Sequence, residues 1–179
     1  MLPRSPAELM RSDLRSLRPY QSHVIPGNVK LDANENPFPW PEGMKEAIWS
    51  EEIACNRYPD GEAKALRQAL SVYTGIPAGG ILAGNGSDEL IQVILATFGG
   101  PGTAVVIHPP TFSMYEAAAR VTGTEVRCVP LILKRQDSAG LTQRLSGGVS
   151  GPLDLALDVP GILAQAQDER VKVIIICNP

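Results

Sequence analysis

One glycine-rich segment, Gly84-Asn85-Gly86-Ser87-Asp88, has the residue types needed to bind an anion. It precedes apolar residues at helical spacing, so Ser87 is expected to cap a helix. Glycine lets the backbone approach a bulky anion, and the free amides and dipole of a first helical turn favour negative charge. Ser87 adds a hydroxyl donor. The same pattern also serves as a plain tight connection, so the turn alone leaves both interpretations open.

Two acidic residues, Asp88 and Glu89, occupy the first predicted helical turn and suit the helix dipole. Their carboxylates would repel a bound phosphate, so we expect the backbone amides and Ser87 to make the contacts while the carboxylates point elsewhere. Glu89 also stands where a dinucleotide fingerprint needs a third glycine or alanine. The pattern therefore disfavours a nicotinamide-binding domain.

Apolar segments around this turn predict buried strands. They lie at 81–83, 104–107, 126–133 and 171–176. Nearly unbroken apolar runs alternating with amphipathic helices are typical of a sheet covered on both faces. The predicted fold class is therefore α/β.

Helical spacing predicts the elements between these strands. One helix lies near 44–49, and a second at 63–73 stops at Gly75. The helix that Ser87 caps ends at Gly99-Gly100. Its predicted buried face consists of Leu90, Ile91, Ile94, Leu95 and Phe98.

Two later helices carry recognisable start signals. Ser113 and Glu116 have capping-box spacing before a helix at 117–121 that Gly123 closes. Asp158 and Pro160 begin the last helix, which bears Ile162, Leu163 and Ala166.

Two segments lack such patterns. Residues 1–43 are rich in proline and polar residues and are predicted to form an N-terminal arm rather than a core. Residues 134–151 are polar, contain four glycines and are predicted to form an exposed excursion.

Composition narrows the class of protein. A formal net charge of -3, from 16 basic and 19 acidic residues, gives no electrostatic footprint for nucleic acid or an anionic membrane. Three cysteines at wide spacings indicate reduced thiols rather than a disulfide framework or a metal site. The sequence shows neither a signal peptide nor an apolar run of about 20 residues. We therefore expect a cytoplasmic protein that acts on small molecules.

Five segments taken together resemble histidinol-phosphate aminotransferases. In chain order they are LRPYQS (17–22), LDANENP (31–37), NRYPDG (56–61), GNGSDE (84–89) and PPTFSMY (109–115). The order and spacing of the five segments point to this family far more specifically than any single segment does. The resemblance implies a fold type I pyridoxal-phosphate enzyme with three layers around a mostly parallel sheet. Residues 1–43 would form the arm and the start of the small domain, and 44–179 the first part of the large cofactor-binding domain.

The resemblance also assigns roles to residues of the cofactor site. Gly86, Ser87 and Asp88 match the turn that binds the phosphate of pyridoxal 5'-phosphate. Phe112 matches the aromatic residue that stacks on the pyridine ring, where the family often has tyrosine. Phenylalanine keeps the flat face but lacks the phenol hydroxyl. Without the resemblance, a phenylalanine at this position is more often a core aromatic.

Three further roles come from the resemblance alone. Tyr58 matches a tyrosine that reaches the cofactor phosphate of the neighbouring subunit, which implies a homodimer with shared sites. Tyr20 matches a substrate-side tyrosine of the arm, and Asn34 lies where the arm approaches the site. The alternative for Tyr58 is packing in a Tyr-Pro turn, and for the other two an exposed arm residue.

No catalytic residue is identified in this chain. Pyridoxal chemistry needs a lysine that bonds the cofactor and a carboxylate that keeps the pyridine nitrogen charged. The resemblance implies that both lie beyond residue 179, so that this sequence is the front part of a longer enzyme. None of the chain's lysines matches the family's lysine: Lys30, Lys45, Lys64, Lys134 and Lys172.

The predicted function is transfer of an amino group between histidinol phosphate and 2-oxoglutarate in histidine biosynthesis. The substrates would thus be a small-molecule amino donor and a 2-oxo acid. Alternatives are a related pyridoxal-phosphate enzyme, such as a threonine-phosphate decarboxylase or an aromatic aminotransferase, and a non-catalytic phosphate-binding fragment.

Overall fold

The computed structural model describes residues 5–18, 27, 29–30, 34–51, 54, 56–135 and 153–178. The chain divides into two compact units. The first, which we call the sheet unit, consists of Met1–Arg18 and Gly84–Pro179. The second, the helical unit, is Pro19–Ala83. The boundary at residue 43 that the resemblance implies stays a prediction for the complete protein.

The elements follow one another in an order that alternates helices and strands. The described helices are α1 (Pro6–Leu9), α2 (Met44–Ser50), α3 (Lys64–Thr74), α4 (Ser87–Phe98), α5 (Met114–Thr122) and α6 (Val159–Ala166), with 3-10 turns at Ser12–Leu14 and Ala78–Gly80. The described strands are β1 (Ala104–Ile107), β2 (Glu125–Cys128), β3 (Ile132–Arg135), β4 (Leu153–Ala156) and β5 (Val171–Ile174). No helix in the described ranges is long and apolar enough to cross a membrane.

A parallel sheet with strand order β2-β1-β5 forms the centre of the sheet unit. All four residues of β1 are buried, with exposures of 0 to 3%. A separate antiparallel pair, β3 with β4, has Ile132 opposite Ala156. The parallel sheet confirms the α/β class predicted from the apolar runs.

Successive side chains of β1 point to opposite faces of the sheet, and each face has its own core. Val105 and Ile107 pack with Leu95 of α4 and with Ala118 and Ala119 of α5. On the other face the core is smaller and lies under α6. Its buried members are Val106, Val129 and Ile162.

The helix boundaries follow the sequence signals closely. Gly75 and Gly123 end α3 and α5 in the left-handed conformation, with φ of 75° and 78°. The Asp158 side chain accepts a hydrogen bond from the Gly161 amide at 3.0 Å, as expected for a helix cap. These predictions succeed because each depends on residues within one or two turns.

Two predicted strands differ from the structure. Residues 81–83 form no strand, because no described strand lies beside them to complete a hydrogen-bonded ladder. The predicted strand 126–133 is divided between β2 and β3, which belong to different sheets. Pro130 lies between them and cannot donate to a ladder. β4 was not predicted, and β5 ends at Ile174 rather than at residue 176.

Predicted caps and buried faces were wrong at three places. Gly86, not Ser87, is the N-cap of α4, and Ser113 makes no side-chain cap bond at α5. On α4 only Leu95 is fully buried, whereas Ile94 and Phe98 are 42% and 58% exposed. The narrow sheet and α5 cover only the side of α4 around Leu95.

The start of the predicted arm is more ordered than expected. Ser5 and Glu8 form a capping box around α1. Arg11 then donates a hydrogen bond to the Val121 carbonyl at 2.8 Å, near the C-terminal end of α5. A guanidinium there complements the negative end of the helix dipole. Residues 136–152, which contain most of the predicted excursion, lie outside the described residues.

Four charged residues link β2 to the segment between α6 and β5. Asp168 accepts hydrogen bonds from Arg170 at 2.7 Å and from Arg127 at 2.8 Å. Glu125 pairs with both arginines, at 2.9 and 3.1 Å. The Arg170 side chain and amide, together with Arg127, hold the pKa of Asp168 far below its usual value. The folded state is therefore stabilised by an ionised Asp168.

Replacing Asp168 by asparagine should lower the urea midpoint of unfolding at pH 7. Because folding lowers the pKa of Asp168, its contribution is complete above the unfolded-state pKa of about 4 and is lost as pH falls below it. The difference between wild type and Asp168→Asn should therefore shrink below about pH 4. Glu116→Gln, which removes an exposed pair with Arg120, should have a smaller effect. A difference that is constant between pH 7 and pH 2 would contradict this assignment.

Candidate functional site

The glycine-rich turn lies at the carboxyl edge of the parallel sheet. α4 packs with β1 and α5 around Leu95, and residues 99–103 connect its C-terminal end directly to the start of β1. The helix therefore runs antiparallel to β1, and its N-terminal end faces the edge where β1 ends. Ligands of open α/β sheets bind at this edge.

Both glycines of the turn are needed, for different reasons. Gly86 has φ 85° and ψ 173°, a conformation that side chains disfavour, yet nothing lies within 4 Å of a Cβ placed there. A Cβ at Gly84 would lie 2.8 Å from Leu90 Cδ2, so the Leu90 side chain would have to move. The backbone at Gly86 is thus open to an approaching ligand, as a phosphate cradle requires.

Three backbone amides at the start of α4 are available for a ligand. The amides of Ser87, Asp88 and Glu89 precede the first helical hydrogen bond, and none donates to another group among the described residues. The preceding amide of Gly86 donates to the Gly84 carbonyl at 3.0 Å. The Asn85 amide donates to the Glu89 carboxylate. The free donors are therefore concentrated in the first turn of the helix.

One of the two acidic side chains beside these amides contacts the turn. Glu89 folds back to accept a hydrogen bond from the Asn85 amide, so the expectation that its carboxylate points away from the turn is wrong. Asp88 and Ser87 are exposed. The arrangement fits a phosphate monoester, whose oxygens need several donors and a positive helix end.

Phe112 lies in the loop that follows β1, at the same edge of the sheet. Its ring packs edge-to-face against Tyr115, with ring centroids 5.6 Å apart and an interplanar angle of 88°. The residue is 37% exposed, so it is not a buried core aromatic. Part of the ring is open to a flat ligand.

The remaining predicted site residues belong elsewhere in the chain. Tyr58 and Asn34 lie in the helical unit. The Tyr58 side chain is fully exposed, and Asn34 has a positive φ of 50°. Tyr20 lies outside the described residues. The sheet unit thus contains Gly86, Ser87, Asp88 and Phe112, and the roles of all seven residues stay predictions.

Sequence reasoning missed a polar cluster at the end of β1. His108 is only 3% exposed, and its Nε2 accepts a hydrogen bond from the Cys177 amide at 2.7 Å. Hydrogen bonding with the Cys177 side chain, together with partial burial, raises the pKa of Tyr115. The available signal was one polar residue directly after four apolar ones. No cluster of three or more possible metal ligands occurs in the part of the chain that the structure describes.

The fold and the glycine-rich turn agree with a match to a known protein family. The model of the family described as aminotransferase class I and II matches residues 26–179. The chain therefore belongs to the class I and II aminotransferases.

Individual relatives narrow the similarity to histidinol-phosphate aminotransferases. The enzyme of that name from Desulfitobacterium hafniense is 58% identical over 172 residues, which cover 96% of this chain and 44% of the relative. The one from Thiocapsa roseopersicina is 36% identical over 176 residues, covering 96% of this chain and 82% of the relative. The predicted resemblance is confirmed, and the chain spans less than half the length of the first relative.

The similarity of this chain to a solved structure is weak and covers part of the chain. The crystal structure of L-threonine-O-3-phosphate decarboxylase from Porphyromonas gingivalis matches with a TM-score of 0.39 at 32% identity. The match covers 42% of this chain and 24% of that one.

The conformation of Gly86 gives a direct test of the turn. Gly86→Ala should reduce the free energy of unfolding by about 1–3 kcal/mol, because a side chain is strained at this φ and ψ. Gly102→Ala is a matched control, since Gly102 also has a positive φ, of 83°, and open space around it. Urea unfolding should show that Gly86→Ala and Gly102→Ala lower the free energy of unfolding by similar amounts. A loss at Gly102 with none at Gly86 would contradict the described turn.

Proposed function

We propose that the complete protein is a pyridoxal-phosphate-dependent transaminase that moves an amino group between histidinol phosphate and 2-oxoglutarate in histidine biosynthesis. The observation that carries this proposal is the open turn at Gly86 with three free amides at the start of α4, in a chain of the aminotransferase family. The names of the relatives support the choice of amino donor.

The first turn of α4 would bind the cofactor phosphate. The amides of Ser87 and Asp88 and the Ser87 hydroxyl would donate to phosphate oxygens, and the positive end of a 12-residue helix would stabilise the charge. Asp88 and Glu89 are both exposed, and the Glu89 carboxylate accepts from the Asn85 amide. Their exposure allows water and salt to screen their repulsion from the phosphate.

The remaining predicted residues would orient the cofactor ring and the substrate. Phe112, at the end of β1, would stack on the pyridine ring through the part of its side chain that is open to solvent. Tyr58 would reach the cofactor phosphate of the neighbouring subunit, so the complete protein would be a homodimer, and its proposed location is the cytoplasm. Tyr20 and Asn34 would contact the amino donor. The pyridoxal ring supplies an electron sink for the substrate carbon, and this chain supplies part of its binding site.

Removing the Ser87 hydroxyl should weaken binding of pyridoxal 5'-phosphate. A hydrogen bond to a charged group contributes about 1.5–3 kcal/mol, so Ser87→Ala should raise the dissociation constant about 10- to 100-fold. Thr97→Ala removes a hydroxyl from the opposite end of the same helix, where it donates to the Val93 carbonyl at 2.7 Å. This control should bind the cofactor like wild type. Equal affinity in Ser87→Ala and Thr97→Ala, measured by fluorescence titration of the complete protein, would contradict the phosphate assignment.

The amino donor is tested by single-turnover assays of the complete protein. Histidinol phosphate should convert the bound cofactor to its amino form faster than threonine phosphate or an aromatic amino acid does, and 2-oxoglutarate should reverse the conversion. Absorbance of the cofactor follows both half-reactions. No conversion with histidinol phosphate would exclude the proposed donor, and no absorbance change with any amine would exclude transamination.

A further inference from the structure

The ladder between β1 and β5 continues beyond both strands through a side chain. The Ile175 amide donates to the Val106 carbonyl at 2.9 Å. In a parallel ladder the next amide of the same strand that points toward β1 is two residues further, at Cys177. Its regular acceptor would be the backbone carbonyl of His108, two residues after Val106. The Cys177 amide donates instead to Nε2 of His108, at 2.7 Å.

The backbone after His108 has no amides with which to continue the ladder, because Pro109 and Pro110 have no amide hydrogen. Alternate carbonyls of this central segment serve alternate neighbours: those of Ile107 and Pro109 accept from Val129 and Leu131 on the β2 side, at 2.9 and 2.8 Å. On the β5 side the imidazole of His108 supplies the acceptor for the Cys177 amide.

This hydrogen bond selects one form of the imidazole. An amide can donate to Nε2 only when that nitrogen carries no proton, so a neutral ring must carry its proton on Nδ1. The residue is only 3% exposed. Nδ1 has no hydrogen-bond partner among the described residues.

The segment held by His108 also contacts the aromatic pair of the site. Ile175, two residues before Cys177, and Tyr115 both pack against the buried cluster that contains Ile107. The Tyr115 ring in turn packs against Phe112. One continuous set of contacts thus joins the chain after β5 to Phe112. We call His108, Cys177, Tyr115 and Phe112 the edge cluster.

We propose that His108 is a positioning residue of the cofactor site. Its neutral imidazole fixes Cys177 and Asn178 at the end of β1, and through Tyr115 this segment supports Phe112. The role in cofactor binding rests on the proposed function, whereas the hydrogen bond and the ring form do not.

The form of the ring can be measured in the wild-type fold. The sequence contains two histidines, so His23→Gln leaves His108 as the single imidazole of this chain. Two-dimensional ¹⁵N–¹H correlation of the ring should show a neutral form with the proton on Nδ1 at pH 7. A ring protonated on Nε2, alone or together with Nδ1, would overturn the proposal without any change at position 108.

Two variants at position 108 separate the effect of the hydrogen-bond acceptor from the effect of side-chain shape. His108→Gln keeps an acceptor at the place of Nε2, and His108→Phe fills the space without one. Hydrogen exchange of the Cys177 amide should be about tenfold faster in His108→Phe and within about threefold of wild type in His108→Gln. Equal exchange in all three proteins would overturn the positioning role.

Cofactor affinity then links the hydrogen bond to the site. In the complete protein, titration with pyridoxal 5'-phosphate should give a dissociation constant about tenfold higher for His108→Phe, with most of the loss recovered in His108→Gln. Altered exchange with unchanged affinity would refute the link to the cofactor. If wild type itself does not bind pyridoxal 5'-phosphate, the proposed function fails, and the ring form and amide exchange still decide the assignment of His108.

Discussion

Burial of β1 on both faces is the constraint on which the rest of the sheet unit depends. A strand that meets no water can carry only apolar side chains along its length, as Ala104–Ile107 does. It must also have helices on both sides, and α4 with α5 on one face and α6 on the other provide them. Polar chemistry is thereby excluded from the strand itself. It begins at the first residue after the strand, His108, and continues into the loop that carries Phe112.

The same constraint explains why the site uses so many backbone groups. A helix packed antiparallel to a buried strand brings its N-terminal amides to the edge where the strand ends. The amides of Ser87, Asp88 and Glu89 are fixed by the helix and need no side-chain ordering to bind an anion. Among the described residues of the sheet unit, the proposed side-chain contacts come from Ser87 and Phe112. Its geometry therefore depends mainly on how α4 packs through Leu95.

The sequence predicted features whose causes are local. The α/β class, the buried strand at 104–107 and the helix ends at Gly75 and Gly123 follow from short patterns of apolar residues and glycines. The order of the five segments that resemble histidinol-phosphate aminotransferases led to the correct family. The features that the sequence did not predict depend on residues distant in the chain. A strand at 81–83 needs a neighbouring strand to pair with. The Arg11 contact with Val121 joins residues far apart in the chain. The bond between His108 and Cys177 is of the same kind.

The two glycines of the turn, Gly84 and Gly86, differ in how other substitutions could make a change at each position tolerable. A larger residue at position 84 meets the Leu90 side chain, so a second change that trims Leu90 can compensate for it. At Gly86 nothing touches the added carbon, and the obstacle is the backbone conformation alone. No neighbouring substitution can relieve it. Position 84 is therefore open to epistatic rescue, whereas position 86 can change only if the turn itself changes.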